Sequence, residues 1–337
     1  MTLLPRHRGL KRWSGSGRLA RPKTAQEGVA MWFRNLRLYR LAQPFTTSPE
    51  ELHEALQAAA FRPCGSLEPE TVGWVPPLGR QATQLAHAAA DAILVSARRE
   101  TRMLPASVIN ETLAERIETL EAAEGRDIGR REKSTLREQI VHELLPRAFT
   151  RSSVTAAVVL PQDDWLLVDT ASKARAEELL SLLRKALGSL PVAPPKVGTD
   201  PANLMTSWLN GATLPAGLAL GDECELKEAG DDAGVVRVKR VDLLSDEIRT
   251  HLDVGRRVSR LALVFEDRMR FVLDDELNIR RLGFEDEVLE SLDDVDSDDE
   301  LVQLDARFAL LSLEVQRLLP QLVGWFGEAA EPESAAA

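Results

Sequence analysis

The sequence predicts an α+β fold in which strands and capped helices alternate along the chain, and three observations carry that reading. Runs such as MWFRNLRLYRL and VVRVKRV alternate side chains with the two-residue period of a strand. Segments such as SPEELHEALQAAA open on a capping residue and continue as a helix. At 337 residues the chain exceeds the usual size of one core, so two domains or one elongated, multi-lobed unit are expected.

Residues 1–30 carry seven Lys/Arg and one acid, with Gly15, Gly17 and two prolines, and no sustained periodicity. They read as a disordered basic extension without the apolar centre of a secretory signal, and Met31 is an alternative start. In the strand that follows, Leu36, Leu38 and Arg40 alternate with Arg37, Tyr39 and Leu41. Ser48, Pro49 and Glu51 give the next helix a cap, a first turn and a capping box. The Pro- and Gly-rich stretch from Phe61 to Gly79 is expected to be irregular, and DAILVSARRETRML returns to strand.

From Ser107 to about Leu145 the pattern is an αα-hairpin broken near Gly125 to Gly129. SVTAAVVL and WLLVD then pair about a turn at Pro161 to Asp164, and a helix stopped by Gly188 follows. After the linker PVAPPKVGTDP come a short helix near Leu204 to Leu209 and strands at Cys224 to Lys227 and Val235 to Val241. Ser245 is expected to cap a helix, RVSRLALVFEDRMRFVLDDELNIRRL to form three strands, and a last helix to run from Glu300 to Leu319.

Hydrophobic residues at 44% and charged residues at 28% place the chain among globular proteins rather than disordered ones. Net charge is −11, which taken alone argues against a polyanionic partner. Yet the run from Phe284 to Glu300 holds ten acids and no base, and without it the charge is about −1. Cys64 and Cys224 form no metal or disulfide pattern, which fits a reducing cytoplasm, and no apolar run is long enough to span a bilayer.

Catalytic motifs are sparse. The five histidines show no paired ligand spacing, and no phosphate-binding loop or nucleophile elbow occurs. Clustered carboxylates could serve a metal-dependent nuclease, but Asp163–Asp164 and Asp274–Asp275 sit at expected hairpin turns, and Asp293 to Glu300 reads as a solvated acidic run. Among bases, Arg237 and Lys239 share one face of a strand, with Val236 and Val238 on the other and Arg240 at its end. Such a ridge can meet phosphates without reading bases; an ordinary solvated strand face is the simpler account. Arg130, Arg131, Lys133 and Arg137 on a helix, and Arg98, Arg99 and Arg102 beside a strand, leave the same two readings open.

Seven segments, taken in order, carry a family resemblance. MWFRNLRLYRL, FRPCGSLEPETVGWVPPLG, ARRETRMLPASVI, LLPRAFTRSS, LLRKALGSLPV, VVRVKRVDLLSDEI and RRVSRLALVFEDRMRFVL together resemble the RdgC family of recombination-associated proteins. The resemblance implies an elongated, horseshoe-shaped mixed α/β monomer that forms a ring-shaped homodimer around double-stranded DNA. It further implies sequence-independent binding, with single-stranded DNA as a secondary partner, and inhibition of RecA by occupying its DNA substrate. Neither cofactor, metal nor catalytic residue is implied, and the expected location is the cytoplasmic nucleoid.

On this chain the resemblance implies one unit over residues 31–326, with a hairpin and dimer-contact lobe at 105–190 and a sheet-rich basic lobe at 204–282. Residues 327–337 are expected to be a frayed acidic tail. Phosphate contacts are expected from Arg237, Lys239, Arg240, Lys227, Arg130 and Lys133, and a dimer contact from Phe149 in the PRAF motif; an internal core aromatic is the alternative for Phe149. The polar Gln usual after the basic pair is here Val241. A metal-dependent nuclease and a recombination scaffold that does not bind DNA are the competing functions.

Overall fold

A computed structural model describes residues 33–228, 230, 234–293 and 299–327. The basic extension expected at 1–30, the tail beyond Gly327 and the centre of the acidic run lie outside the described residues. In chain order the elements are β1 (Asn35–Leu41), α1 (Pro49–Gln57), β2 (Glu70–Val75), β3 (Ala86–Ala89), β4 (Ala92–Met103), α2 (Ala106–Glu124) and α3 (Arg130–Leu144). They continue with β5 (Phe149–Leu160), β6 (Trp165–Asp169), α4 (Lys173–Leu187), β7 (Val192–Ala193), α5 (Pro201–Leu209), β8 (Leu218–Lys227) and β9 (Val235–Lys239). Last come α6 (Asp246–Asp253), β10 (Arg257–Phe265), β11 (Met269–Asp274), β12 (Ile279–Phe284), α7 (Asp286–Asp293) and α8 (Glu300–Phe326). The result is a mixed α/β protein on one open antiparallel sheet.

The sheet runs β2-β4-β5-β6-β1-β12-β11-β10-β8-β9, with β3 added on β4 and β7 on β1. Its two halves meet where Asn35 and Leu36 of β1 pair with Arg280 and Ile279 of β12. Beyond that seam β1 leaves β12 and pairs instead with β7, through Arg40 and Leu41. The same edge of β1 thus serves both halves.

One face carries the main core, where Leu36, Leu38, Leu261, Leu263 and Phe271 pack with Trp208 of α5, Ile248 of α6 and Phe308 and Leu318 of α8. The opposite face is covered over the first half only, by Leu52 and Leu56 of α1 and Leu179, Leu180 and Leu183 of α4. No strand of the second half contributes to this smaller cluster. There the sheet face carries charge.

Most predicted elements form where expected, but the stretch Phe61 to Gly79, expected to be irregular, contains β2, which pairs with β4. In β1 both faces are buried, Arg37 included, because α4 covers the side expected to be wet. The last helix continues past Leu319 through Pro320 to Phe326. Burial of Leu322 and Phe326, the latter 5.8 Å from the ring of Trp208, outweighs the hydrogen bond that proline removes. Ser245 occupies the cap position of α6, but its hydroxyl is buried without a partner among the described residues. The acidic stretch begins as α7, whose Val288 packs on the main core, while most of the run expected to be solvated, Asp293 to Glu300, lies outside the described residues.

Candidate nucleic-acid interface

β9 is the last strand of its half, and its alternation is as the sequence predicts. Val236 and Val238 pack against the main core, while Arg237 and Lys239 point away from it with side chains 67% and 60% exposed. Each cation finds a carboxylate one strand inward. In the register of β8 with β9, Arg237 faces Glu225 and Lys239 faces Glu223. Arg237 Nε donates to Glu225 Oε2 at 2.7 Å, and Lys239 Nζ lies 3.7 Å from Glu223 Oε1.

The row continues across the half-sheet. Arg260 of β10 pairs in register with Glu225, and its Nη1 donates to the same Oε2 at 3.1 Å. Ser259 Oγ donates to Glu225 Oε1 at 3.0 Å. Arg260 also faces Asp274 of β11, whose Oδ2 accepts from Arg280 Nε at 2.8 Å. A second row joins Lys239 through Glu223 to Arg281, whose Nη2 is 2.6 Å from Glu223 Oε1. Acids that are buried (Glu225, Asp274) or half-buried (Glu223) thus alternate with more exposed cations.

Burial pushes the Glu225 carboxyl up, but hydrogen bonds from Arg237 and Ser259 and the charge of Arg260 outweigh it and hold the group below the usual range. It therefore stays ionised and anchors both guanidinium groups. The carboxylates neutralise part of the face, yet they also fix long side chains that would otherwise lose rotamer freedom on meeting a phosphate.

Of the residues expected at phosphates, Arg237, Lys239, Arg240 and Lys227 are brought to this edge. Arg240 lies beyond β9 in a left-handed conformation (φ 59°) and so leaves the strand alternation that would have placed it with the valines. Arg130 and Lys133 are exposed on α3, between β4 and β5 of the other half-sheet, and do not join the lattice. The residues β4 contributes are not spare: Arg99 pairs with Glu70 and Glu178, Arg102 donates to the carbonyls of Gly65, Leu145 and Ala148, and Arg98 lies over the Phe61 ring.

Sequence reading missed Arg260, Arg280 and Arg281, and β-bulges explain why. Register shifts at Ser259 and between Arg280 and Gly283 break the two-residue count by which a face is read. Phe149 is 81% exposed at the start of β5, which rules out the core aromatic alternative. It pairs in register with Met103, itself half exposed, so an apolar end of β4 and β5 faces outward.

The acidic pairs are turn residues, as expected. Asp164 adopts φ 57° in the β5–β6 turn, and Asp274 Oδ1 accepts from the backbone of Glu276 and Asn278 in the β11–β12 turn. Among the described residues no three His, Cys, Asp or Glu side chains form a group that could hold a metal ion. None of the described helices is long and apolar enough to cross a membrane.

The class defined here is a mixed α/β protein whose charged site lies on an open sheet face. The family model described as "Putative exonuclease, RdgC" matches residues 31–329. The recombination-associated protein RdgC of Aeromonas hydrophila is 45% identical over 297 residues, covering 88% of this chain and 98% of the relative. That of Halorhodospira halophila is 43% identical over 302 residues, covering 90% of this chain and all of the relative. The chain belongs to the RdgC family of recombination-associated proteins.

Proposed function

We propose that this protein binds double-stranded DNA without sequence preference through the charged face of β8–β12, and does no chemistry on it. The observation that carries the reading is the exposed edge of β9, where Arg237 and Lys239 project together from the sheet and are held from behind by Glu225 and Glu223. A strand face of this kind meets backbone phosphates, which position a protein but carry no sequence. Arg240 and Lys227 extend the contact; Arg130 and Lys133 supply a second, separate one from α3.

The DNA is encircled by a horseshoe pairing with a second copy into a ring. The exposed pair of Phe149 and Met103 supports one closing contact, because large apolar side chains left in water at the end of a sheet favour a partner surface. By occupying DNA in the nucleoid, the dimer limits the access of RecA, and single-stranded DNA binds by the same phosphate contacts.

Gel shifts in EDTA across a salt series test this. Binding without metal is expected, with log affinity falling by roughly 0.9 per neutralised phosphate in log salt. Sequence preference that survives high salt, or no shift at low salt, overturns the reading; magnesium-dependent cleavage would favour the nuclease instead.

A further inference from the structure

We propose that the crevice where β1 leaves β12 is a binding site for a small organic carboxylate with a short apolar body. Between Leu36, paired to β12, and Arg40, paired to β7, the middle of β1 has no strand on that side. A cavity of about 580 Å³ opens there, closed outside by the proline-rich linker before α5 and by α4. That is within the usual size of small-molecule sites, about 300 to 1,000 Å³.

The floor is Arg37, whose side chain is only 10% exposed. Its Nη2 donates to Glu276 Oε2 at 2.9 Å, and Nε is buried with no acceptor among the described residues. A guanidinium so deeply buried with a single partner is unusual, since buried donors are almost always satisfied. Nη1 and the second proton of Nη2 form a fork that matches the two oxygens of a carboxylate.

The rest of the lining selects the ligand. Leu180, Leu277, Val192 and Val197 offer apolar wall for a hydrocarbon chain. At the mouth, exposed Lys173 and Arg184 are balanced by Glu177, Asp275 and Glu276. A dianion would bring a second charge to three carboxylates there, whereas a monocarboxylate that reaches Arg37 shares the guanidinium with Glu276 alone. The site is separate from the DNA face but adjoins it, because Asp274 holds both Arg280 of the charged lattice and the turn bearing Glu276.

Ligand-observed NMR on the full chain tests the proposal with three probes of equal length: hexanoate, hexanamide and hexylamine. Saturation transfer to hexanoate is expected, with hexanamide weaker by at least about tenfold and hexylamine silent. Arg37→Met should weaken hexanoate by about tenfold or more, the loss of a charge-assisted pair. Should Arg37→Met fail to fold, Pro195→Trp on the half-buried linker fills the cavity from outside and should abolish the signal. Equal binding of hexanoate and hexanamide, no binding by any probe, or hexanoate binding that survives either variant overturns it.

Discussion

Arg237 and Arg260 reach the same oxygen of one carboxylate from strands on either side of it, at 2.7 and 3.1 Å from Glu225 Oε2. Two like charges are thereby held near each other on one sheet face. Each keeps further N–H groups for an incoming anion, because a guanidinium carries five. The arrangement is costly without Glu225 and favourable to a phosphate with it.

Replacing Arg260 by Ala is therefore expected to weaken all DNA sequences about equally and lower the salt slope by about one, leaving Arg237 anchored. Lys239→Ala and Arg240→Ala should do the same. Titrations of two unrelated duplexes at several salt concentrations give the slopes; an unchanged slope, or a loss confined to one sequence, would remove Arg260 from the interface.

Glu225 makes stability depend on acid. Its carboxyl is held below the ordinary value of 4.5, so the stabilisation it gives is present above that value and is lost as pH falls through the folded one. Glu225→Gln should cost about 1–3 kcal/mol at pH 7, by leaving two arginines short of an acceptor charge. The same variant should lose less than the native chain between neutral pH and the acid side of 4.5. Urea unfolding at the two pH values checks this; parallel losses in both proteins would mean that other carboxylates dominate.

The contrast between Arg237 and Glu225 marks how far the sequence could be read. Arg237 lies in VVRVK, where the two-residue period is unbroken and the face follows directly. Glu225 lies in LGDECELK, a strand with an irregular pairing at Gly221–Asp222, and reads as one more surface acid until Arg260 is placed beside it. Arg260 in turn is shifted by the bulge at Ser259. Helices were legible wherever caps and spacing agreed, as at Ser48, whose hydroxyl accepts from Glu51 N. Arg37 was not, because its burial depends on α4, more than a hundred residues away.

If two copies pair as proposed, Phe149→Ala should loosen that dimer without altering the monomer. The side chain is 81% exposed, so its loss removes little from the folded chain, within about 0.5 kcal/mol by urea unfolding. Sedimentation across a dilution series should show dissociation at higher protein concentration than for the native chain. A dimer that is unchanged in the variant would place the contact elsewhere.

Burial pushes the Cys224 thiol up to about 12, so at pH 8 it is almost wholly protonated and shielded by the main core. Cys64 is only half-buried, with its thiol donating to the Glu100 carbonyl. Iodoacetamide at pH 8 should thus modify Cys64 alone until denaturant is added. Peptide mass mapping reads the order, and early labelling of Cys224 would show that β8 opens in the native state.

Two glycines should respond to Ala with opposite signs. A Cβ at Gly73 would lie 2.5 Å from Phe61 Cα and 2.9 Å from the Ala59 carbonyl oxygen. Both are backbone atoms, and they cannot swing aside, because Trp74 N donates to Ala59 O and Phe61 N donates to Trp74 O. Gly73→Ala must therefore push residues 59–61 off β2, breaking those bonds and lifting Phe61 from under Arg98, at a cost of about 1–3 kcal/mol. It would also bare the outer strand of the first half, a surface prone to pair with other chains. Gly324 is an exposed position within α8 where an added Cβ meets nothing within 4 Å, so Ala there should stabilise the helix by about 0.5–1 kcal/mol. Thermal unfolding of the two variants should move the midpoint down for the first and up for the second; a Gly73→Ala protein as stable as the native chain would mean that the 59–61 segment does not rest on β2.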